Sequence, residues 1–125
     1  MQEHRPFILD WRLIMKVLVV EPNKKPYPKE IDGSLESMQS LVGGYIQAVY
    51  PFEEYVALIC NEEGKLMGLP YNRPLIDPET GLVYDMIAGL FFLCAVPPDS
   101  DHFESLTDAQ IEHYTRYYSG GGSSA

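Results

Sequence analysis

The sequence has little of what usually builds a metal centre or a catalytic site. It contains two cysteines and three histidines, and none of them stands at the short spacing of zinc ligands. We expect Cys60 and Cys94 to be buried free thiols, because they lie in apolar segments and nothing points to the oxidising compartment that a disulfide needs. A metal at His102, with Asp99 and Asp101, is the weaker alternative to a solvated acidic loop.

Signatures of nucleophilic catalysis are missing as well. The chain has neither a nucleophile elbow nor a phosphate-binding glycine loop, and its paired glutamates stand in turns, where charge is usually solvated. We therefore predict no catalytic residues, no metal and no cofactor, and expect a binding protein rather than an enzyme. A nucleotide-processing enzyme is the least favoured alternative.

Long hydrophobic runs and positive charge are also scarce. The apolar run 86–96 is far shorter than the roughly 20 residues of a membrane span, and no basic leader with a cleavage site begins the chain, so we expect a soluble cytoplasmic protein. The net charge of −9, from 18 acidic and 9 basic residues, argues against direct nucleic-acid binding. It leaves open a locally basic pocket, or an acidic surface that docks onto a basic groove of another protein.

The composition is that of one folded domain. Hydrophobic residues make up 46% of the 125 residues, enough to bury a core. We predict a single domain at 15–118, an N-terminal extension at 1–14, and a flexible Gly/Ser tail at 119–125. The extension carries Trp11 among apolar neighbours, which suits an added strand or a contact with a second subunit.

Hydrophobic periodicity and turn residues predict an α+β fold, with a mixed or mostly antiparallel sheet of five to six strands and two helices. Ser34 or Asp32 caps the first helix and Gly43 ends it, while Thr107 and Gln110 form a capping box for the second, whose apolar face is Ile111, Tyr114 and Tyr118. The predicted strands are 16–21, 29–31, 45–50, 55–61, 82–84 and 87–96, with 66–74 as a loop or irregular turn.

Four short motifs carry a resemblance to a known family: VGGYI, CNEEGK, PYNRPL and DMIAG. Together they resemble a domain-of-unknown-function family of Firmicutes phages, plasmids and conjugative elements, over nearly all of 15–118. The resemblance implies a small accessory gene of a mobile element, where antagonists of host defence are common, and a location in the cytoplasm of the bacterial host. It implies no catalytic residues.

The segment 69–74 is the strongest candidate binding site. Two prolines stiffen it, so that Tyr71 can stack on a base, Asn72 can contact polar edges, and Arg73 can form a fork with a phosphate or carboxylate. In the alternative reading, Arg73 pairs with Asp77 or Asp85 and fixes the loop.

Two further motifs add candidates to this site. Gly43 and Gly44, before Tyr45, can let a backbone approach an anion, although a helix stop followed by a tight turn is the favoured explanation, because the glycines follow a helix rather than precede one. Asn61 and Lys65 flank a hairpin turn, where an amide and a cation can contact a nucleotide.

The nine tyrosines cannot all be core residues, because each buried hydroxyl needs a partner. Some of them should line an interface or a pocket. The leading hypothesis is a homo-oligomer that sequesters a small anionic, nucleotide-like signal without cleaving it. The alternative is an acidic inhibitor that binds a host defence nuclease as a nucleic-acid mimic.

Overall fold

A computed structural model describes the backbone of residues 14–124 and the side chains of residues 14–119. It confirms the α+β class. The elements in chain order are β1 Met15–Val20, β2 Tyr27–Ile31, α1 Leu35–Val42, β3 Ile46–Val49, β4 Val56–Asn61, β5 Tyr71–Ile76, β6 Val83–Ala88, β7 Phe91–Ala95 and α2 Asp108–Ser124.

Five strands form one antiparallel sheet in the order β2-β1-β7-β4-β3, and β5 pairs with β6 in a separate antiparallel hairpin. The middle of the large sheet is apolar on both faces, because helices or the hairpin cover both sides. Leu93 of β7 marks the centre: it pairs with Leu18 on one side and with Leu58 on the other. All three side chains are fully buried.

Alternation along the strands divides the core between the two faces of the sheet. One face, here the hairpin face, packs against the β5–β6 hairpin and α2, and contains Leu18, Leu58, Leu93, Leu75 and Tyr118. The opposite face packs against α1 through Met38 and Val42.

Both helix starts follow the sequence prediction. Ser34 Oγ accepts a hydrogen bond from the Ser37 amide at the start of α1, and Gly43 ends that helix in the left-handed conformation, with φ of 85°. Ahead of α2, the Thr107 amide donates to Gln110 Oε1 at 2.9 Å and the Gln110 amide donates to Thr107 Oγ1 at 3.0 Å. This reciprocal pair is a capping box.

Two sequence assignments in the second half of the domain are wrong. The segment 66–74 is not wholly a loop, because β5 begins at Tyr71 and tolerates Pro74 where its pairing with β6 is irregular. The predicted strands at 82–84 and 87–96 are instead β6 and β7, which belong to different sheets. Gly89, with φ of 91°, makes the turn between them, and its amide donates to the Pro70 carbonyl at 2.7 Å.

Other expectations have mixed outcomes. Cys60 and Cys94 are buried free thiols, as predicted, and burial raises their pKa values to about 11 and about 12. The predictions for 1–13, including Trp11, lie outside the described residues. The backbone of α2 runs to Ser124, through most of the segment predicted to be a Gly/Ser tail. Within the described range, no helix has the length and apolar character that crossing a membrane requires.

Candidate functional site

Arg73 lies inside the domain, where only 8% of it is exposed. Nε donates to the Tyr118 carbonyl at 3.3 Å, Nη1 to the Glu21 carbonyl and to Asn72 Oδ1, and Nη2 to the carbonyls of Lys24 and Tyr118. These five bonds match the five N–H groups of a guanidinium. Burial lowers the Arg73 pKa. In this geometry Arg73 joins the β1–β2 turn to α2 and keeps no donor for a ligand, and neither Asp77 nor Asp85 is its partner.

Asn72 is equally engaged with the protein. Its Nδ2 donates to the carbonyls of Val20 and Gly89, both at 2.9 Å, so it ties β5 to the end of β1 and to the β6–β7 turn. Tyr71, by contrast, is 64% exposed. Of these three candidate residues, Tyr71 faces solvent, whereas Asn72 and Arg73 form hydrogen bonds within the protein that stabilise the fold.

Asn61 packs against the two glycines of the VGGYI motif. Asn61 is 5% exposed; its Nδ2 donates to the Val42 carbonyl at 3.2 Å and its Oδ1 accepts from the Glu63 amide at 2.8 Å. A Cβ on Gly44 would lie 2.9 Å from that Nδ2. The glycines therefore let the end of α1 pack against Asn61, which explains the motif without an anion.

Lys65 has an intramolecular partner as well. Its ammonium forms an ion pair with the carboxylate of Asp85 on β6. The hydrogen bond from Lys65 holds the pKa of Asp85 below its ordinary value, and the same bond raises the pKa of Lys65. Tyr45 is mostly exposed beside β3. The predicted site residues thus fall into separate groups: Asn61 and Lys65 line one cavity, and Arg73 does not line it.

That cavity, of about 210 Å³, has a mainly acidic rim. Glu62, Glu63 and Asp85 line it together with Lys65. A second cavity of about 390 Å³ is lined by Glu53, Glu54 and Asp77 among other residues. Leu75 lines the first cavity and Ile76 the second, so both cavities lie against β5. We call the six carboxylates the acidic face; they are Glu53, Glu54, Asp77, Glu62, Glu63 and Asp85.

Positive charge lies elsewhere on the described surface. Lys16 is on β1, Lys24 and Lys25 are in the turn after it, and Lys29 is on β2, at the opposite edge of the sheet from β3. Lys16 pairs with Asp108 and Lys24 with Glu21. Lysines therefore cluster near the β2 edge, where acidic residues accompany them, and Arg116 of α2 pairs with Glu112.

The aromatic wall of the larger acidic cavity was missed at the sequence level. Phe52 follows β3 in a loop, and its ring centroid lies 4.7 Å from that of Tyr114 and 6.3 Å from that of Tyr117. The helical spacing of Tyr114 and Tyr118 predicts their burial, which is confirmed. Nothing in the spacing indicates that Phe52 joins them, because that contact depends on the tertiary fold.

A third cavity, of about 480 Å³, lies on the α1 side of the sheet. It is lined by Met38, Tyr50, Phe103 and His102, among others. His102 is within ion-pair distance of Asp101 and Glu104, at 3.1 and 3.6 Å. Among the described residues, no group of three or more His, Cys, Asp or Glu side chains is placed to hold a metal ion.

The comparison with known families fits the extent of this fold. A family model described as Domain of unknown function (DUF3846) matches residues 15–119. The chain belongs to this family. The DUF3846 match begins at the first residue of β1 and ends within α2, so it includes every strand that the structure describes. No curated protein and no solved structure matches the chain. The resemblance seen in the sequence is confirmed at the level of a domain of unknown function, and an origin in mobile elements stays a prediction.

Proposed function

We propose that this DUF3846 domain is a non-catalytic binding protein that uses its acidic face to occupy a basic surface of a partner protein. The observation that carries the proposal is the charge around the two cavities along β5, whose described lining residues include six carboxylates and one lysine. A concentrated field of one sign steers an oppositely charged partner and selects against partners of the same charge.

Exposed apolar side chains beside the acidic face support a protein partner. Leu82, just before β6, and Val83 and Tyr84, at its start, are 67%, 58% and 58% exposed. Aromatic and aliphatic contacts surrounded by charge are typical of protein interfaces, whereas capture of a small ligand usually needs an enclosed site. The tyrosines outside the core also suit a protein partner. The exposed ones are Tyr27, Tyr45, Tyr50, Tyr55, Tyr71, Tyr84 and Tyr117.

Sequestration of a nucleotide-like anion receives less support from the geometry. It needs free cationic donors next to an aromatic ring. The Arg73 donors are bonded within the protein and Lys65 is paired with Asp85, while Tyr71 is on its own at the surface. A basic groove on a host defence nuclease, normally filled by nucleic acid, is the partner chemistry that suits the acidic face. A phage or mobile-element setting belongs to the same proposal.

The test measures binding of the full chain to purified host restriction or CRISPR nucleases by calorimetry, in the presence and absence of their DNA. The proposal predicts binding that competes with DNA and weakens as salt is added, because the attraction between exposed charges is screened. A variant with Gln in place of Glu53, Glu54, Glu62 and Glu63 should bind at least about tenfold more weakly.

A control variant removes the same number of charges elsewhere on the surface: Glu30→Gln, Glu36→Gln, Asp99→Asn and Glu112→Gln. It should bind as the original chain does. Equal weakening by both variants would mean that net charge alone acts, and would count against a defined face. Recovery of an intact nucleotide after incubation with host nucleotides and heat release, detected by mass spectrometry, would favour sequestration instead.

A further inference from the structure

The larger acidic cavity is built from three separate parts of the chain. The loop 51–54 provides Phe52 and two carboxylates, the β5–β6 turn provides Asp77, and α2 provides Tyr114 and Tyr117. Its volume is about 390 Å³. Because two of these parts pack on the hairpin face, folding alone brings the aromatic rings and carboxylates together. We call this cavity the aromatic pocket.

The rings of the pocket are held in place by their neighbours. Phe52 contacts Tyr114 at an interplanar angle of 55° and meets Tyr117 edge-on at 84°. Behind them Tyr118 is buried, with its centroid 4.8 Å from that of Tyr117 and 5.4 Å from that of Phe91. Tyr117 remains 41% exposed. A fixed aromatic wall therefore faces a space that solvent can enter.

Two of the carboxylates are also fixed in position. Glu54 Oε1 accepts a hydrogen bond from the Tyr114 hydroxyl at 2.9 Å. Asp77 Oδ1 accepts from the Glu79 amide at 2.8 Å, and Glu53 stands next to Glu54 in the loop. Among the residues that the structure describes, no lysine or arginine lines the pocket, and His113 is its one basic side chain. An anion in this space would meet three carboxylates, so the electrostatics select a cation.

Aromatic walls with carboxylates at the rim suit an organic cation. A ring face attracts a cation through its quadrupole, and the guanidinium group of arginine also stacks as a flat plate and forms forked bonds with a carboxylate. We propose that the aromatic pocket binds an arginine side chain presented by the partner protein. This inference rests on the proposed function, since it names the group by which a basic partner is recognised.

The inference is tested with N-acetyl-arginine amide as the probe, titrated into the isotopically labelled full chain and followed by NMR. N-acetyl-citrulline amide is the matched control, because citrulline has nearly the same shape without the charge. We expect saturable shift changes at Phe52, Tyr117 and Glu53 with arginine and none with citrulline. Equal changes with both probes, or changes spread over all acidic residues, would overturn the proposal.

Two variants examine the two halves of the pocket separately. Tyr117→Leu keeps an apolar side chain but removes the aromatic ring, and Glu53→Gln removes one charge; each should weaken arginine binding by about fivefold or more. Tyr45→Leu and Glu36→Gln make the same changes outside the pocket and should leave binding unchanged. Circular dichroism shows whether each variant is folded. A folded Tyr117→Leu protein that binds the arginine probe normally would show that the aromatic wall does not contribute to binding.

The two proposals fail in different ways. If the arginine probe binds at the pocket but neutralising the acidic face leaves nuclease binding intact, the pocket stands and the proposed function is wrong. If nuclease binding depends on the acidic face but the probe does not bind at the pocket, the function stands and the arginine site is wrong. A nuclease variant with its groove arginines changed to lysine should bind more weakly if the pocket selects guanidinium over ammonium.

Discussion

Arg73 donates two hydrogen bonds to the backbone carbonyl of Tyr118, one from Nε at 3.3 Å and one from Nη2 at 3.2 Å. The same guanidinium also holds the carbonyls of Glu21 and Lys24. One side chain of the hairpin thus connects the β1–β2 turn to α2. A charge buried against backbone oxygens stabilises a fold strongly when all its donors are used, and its removal leaves those oxygens without partners.

Arg73→Ala should therefore lower the free energy of unfolding by about 2–4 kcal/mol, because several buried acceptors lose charged donors. Arg73→Lys should restore only part of this loss, since an ammonium cannot reproduce the five-donor fork. Urea denaturation followed by circular dichroism measures both. If Arg73→Ala were as stable as the original chain, the arginine would not be a structural link, and a ligand-binding role would regain support.

Gly44→Ala should also destabilise the domain. Its Cβ would lie 2.9 Å from Asn61 Nδ2, so the amide would have to leave its bond with the Val42 carbonyl. We expect a cost of about 1–3 kcal/mol, from overpacking and the lost buried bond. The matched test is a double-mutant cycle with Asn61→Ala, measured by urea denaturation. Because both changes disrupt the same contact, the double variant should lose less unfolding free energy than the sum of the two single losses. Losses that add fully would show that the glycine and the amide act independently.

The sequence predicts the parts of this fold that depend on local chemistry. The caps at Ser34, Gly43 and Thr107 need only a few neighbouring residues, and β1 and β4 are short apolar runs with clear ends. The sequence does not predict the break between β6 and β7 at Gly89, because an apolar run does not show which sheet each of its halves joins. Periodicity cannot distinguish one long strand from two short strands joined by a tight turn.

The candidate site was harder to predict, for a related reason. Arginine and asparagine in a stiff segment have the same sequence signature whether they bind a ligand or backbone carbonyls. The decision comes from distant partners: Arg73 bonds to Tyr118, 45 positions away, and Asn72 bonds to Val20, 52 positions away. Only the tertiary structure shows that these donors are already used.

Three tyrosines should make the domain sensitive to alkali. Burial, and then the hydrogen bond to Glu54, raises the pKa of Tyr114; burial also raises that of Tyr118, and the bond to Glu21 raises that of Tyr27 to about 12. A folded-state pKa above the unfolded value of about 10 means that the protonated form favours the fold. Their contribution is complete below about pH 10 and is lost as the pH rises through the folded-state values.

Urea titrations at several pH values between 8 and 12 should therefore show stability falling above about pH 10. Absorbance of tyrosinate should show that Tyr114 and Tyr118 ionise only as the protein unfolds. Tyr114→Phe removes one of these groups and should make the decline shallower, while Tyr45→Phe, at an exposed position, should leave it unchanged. An unaltered slope in Tyr114→Phe would mean that this hydroxyl is not coupled to folding.

The outer side of β3 bears on the expected homo-oligomer. The Glu62 amide donates to the Tyr45 carbonyl at 2.8 Å, so the backbone of Tyr45 faces β4. Because antiparallel hydrogen bonding alternates, Gln47 also faces β4, whereas the backbone groups of Ile46 and Ala48 point outward. Within residues 14–124, no strand pairs with this edge. The opposite edge, β2, carries Pro28 and Lys29, which are typical protections against strand addition.

We expect two copies of the chain to associate through their β3 strands, antiparallel and related by a two-fold axis, since an open and uncharged edge is a template for pairing. Ala48→Pro removes an outward amide without touching the bonds to β4, so it should produce a monomer by light scattering after size-exclusion chromatography while leaving the fold stable. Gln47→Pro is the matched contrast: it removes an inward donor and should destabilise the sheet itself. A dimer that persists in Ala48→Pro would mean that the copies associate through another surface.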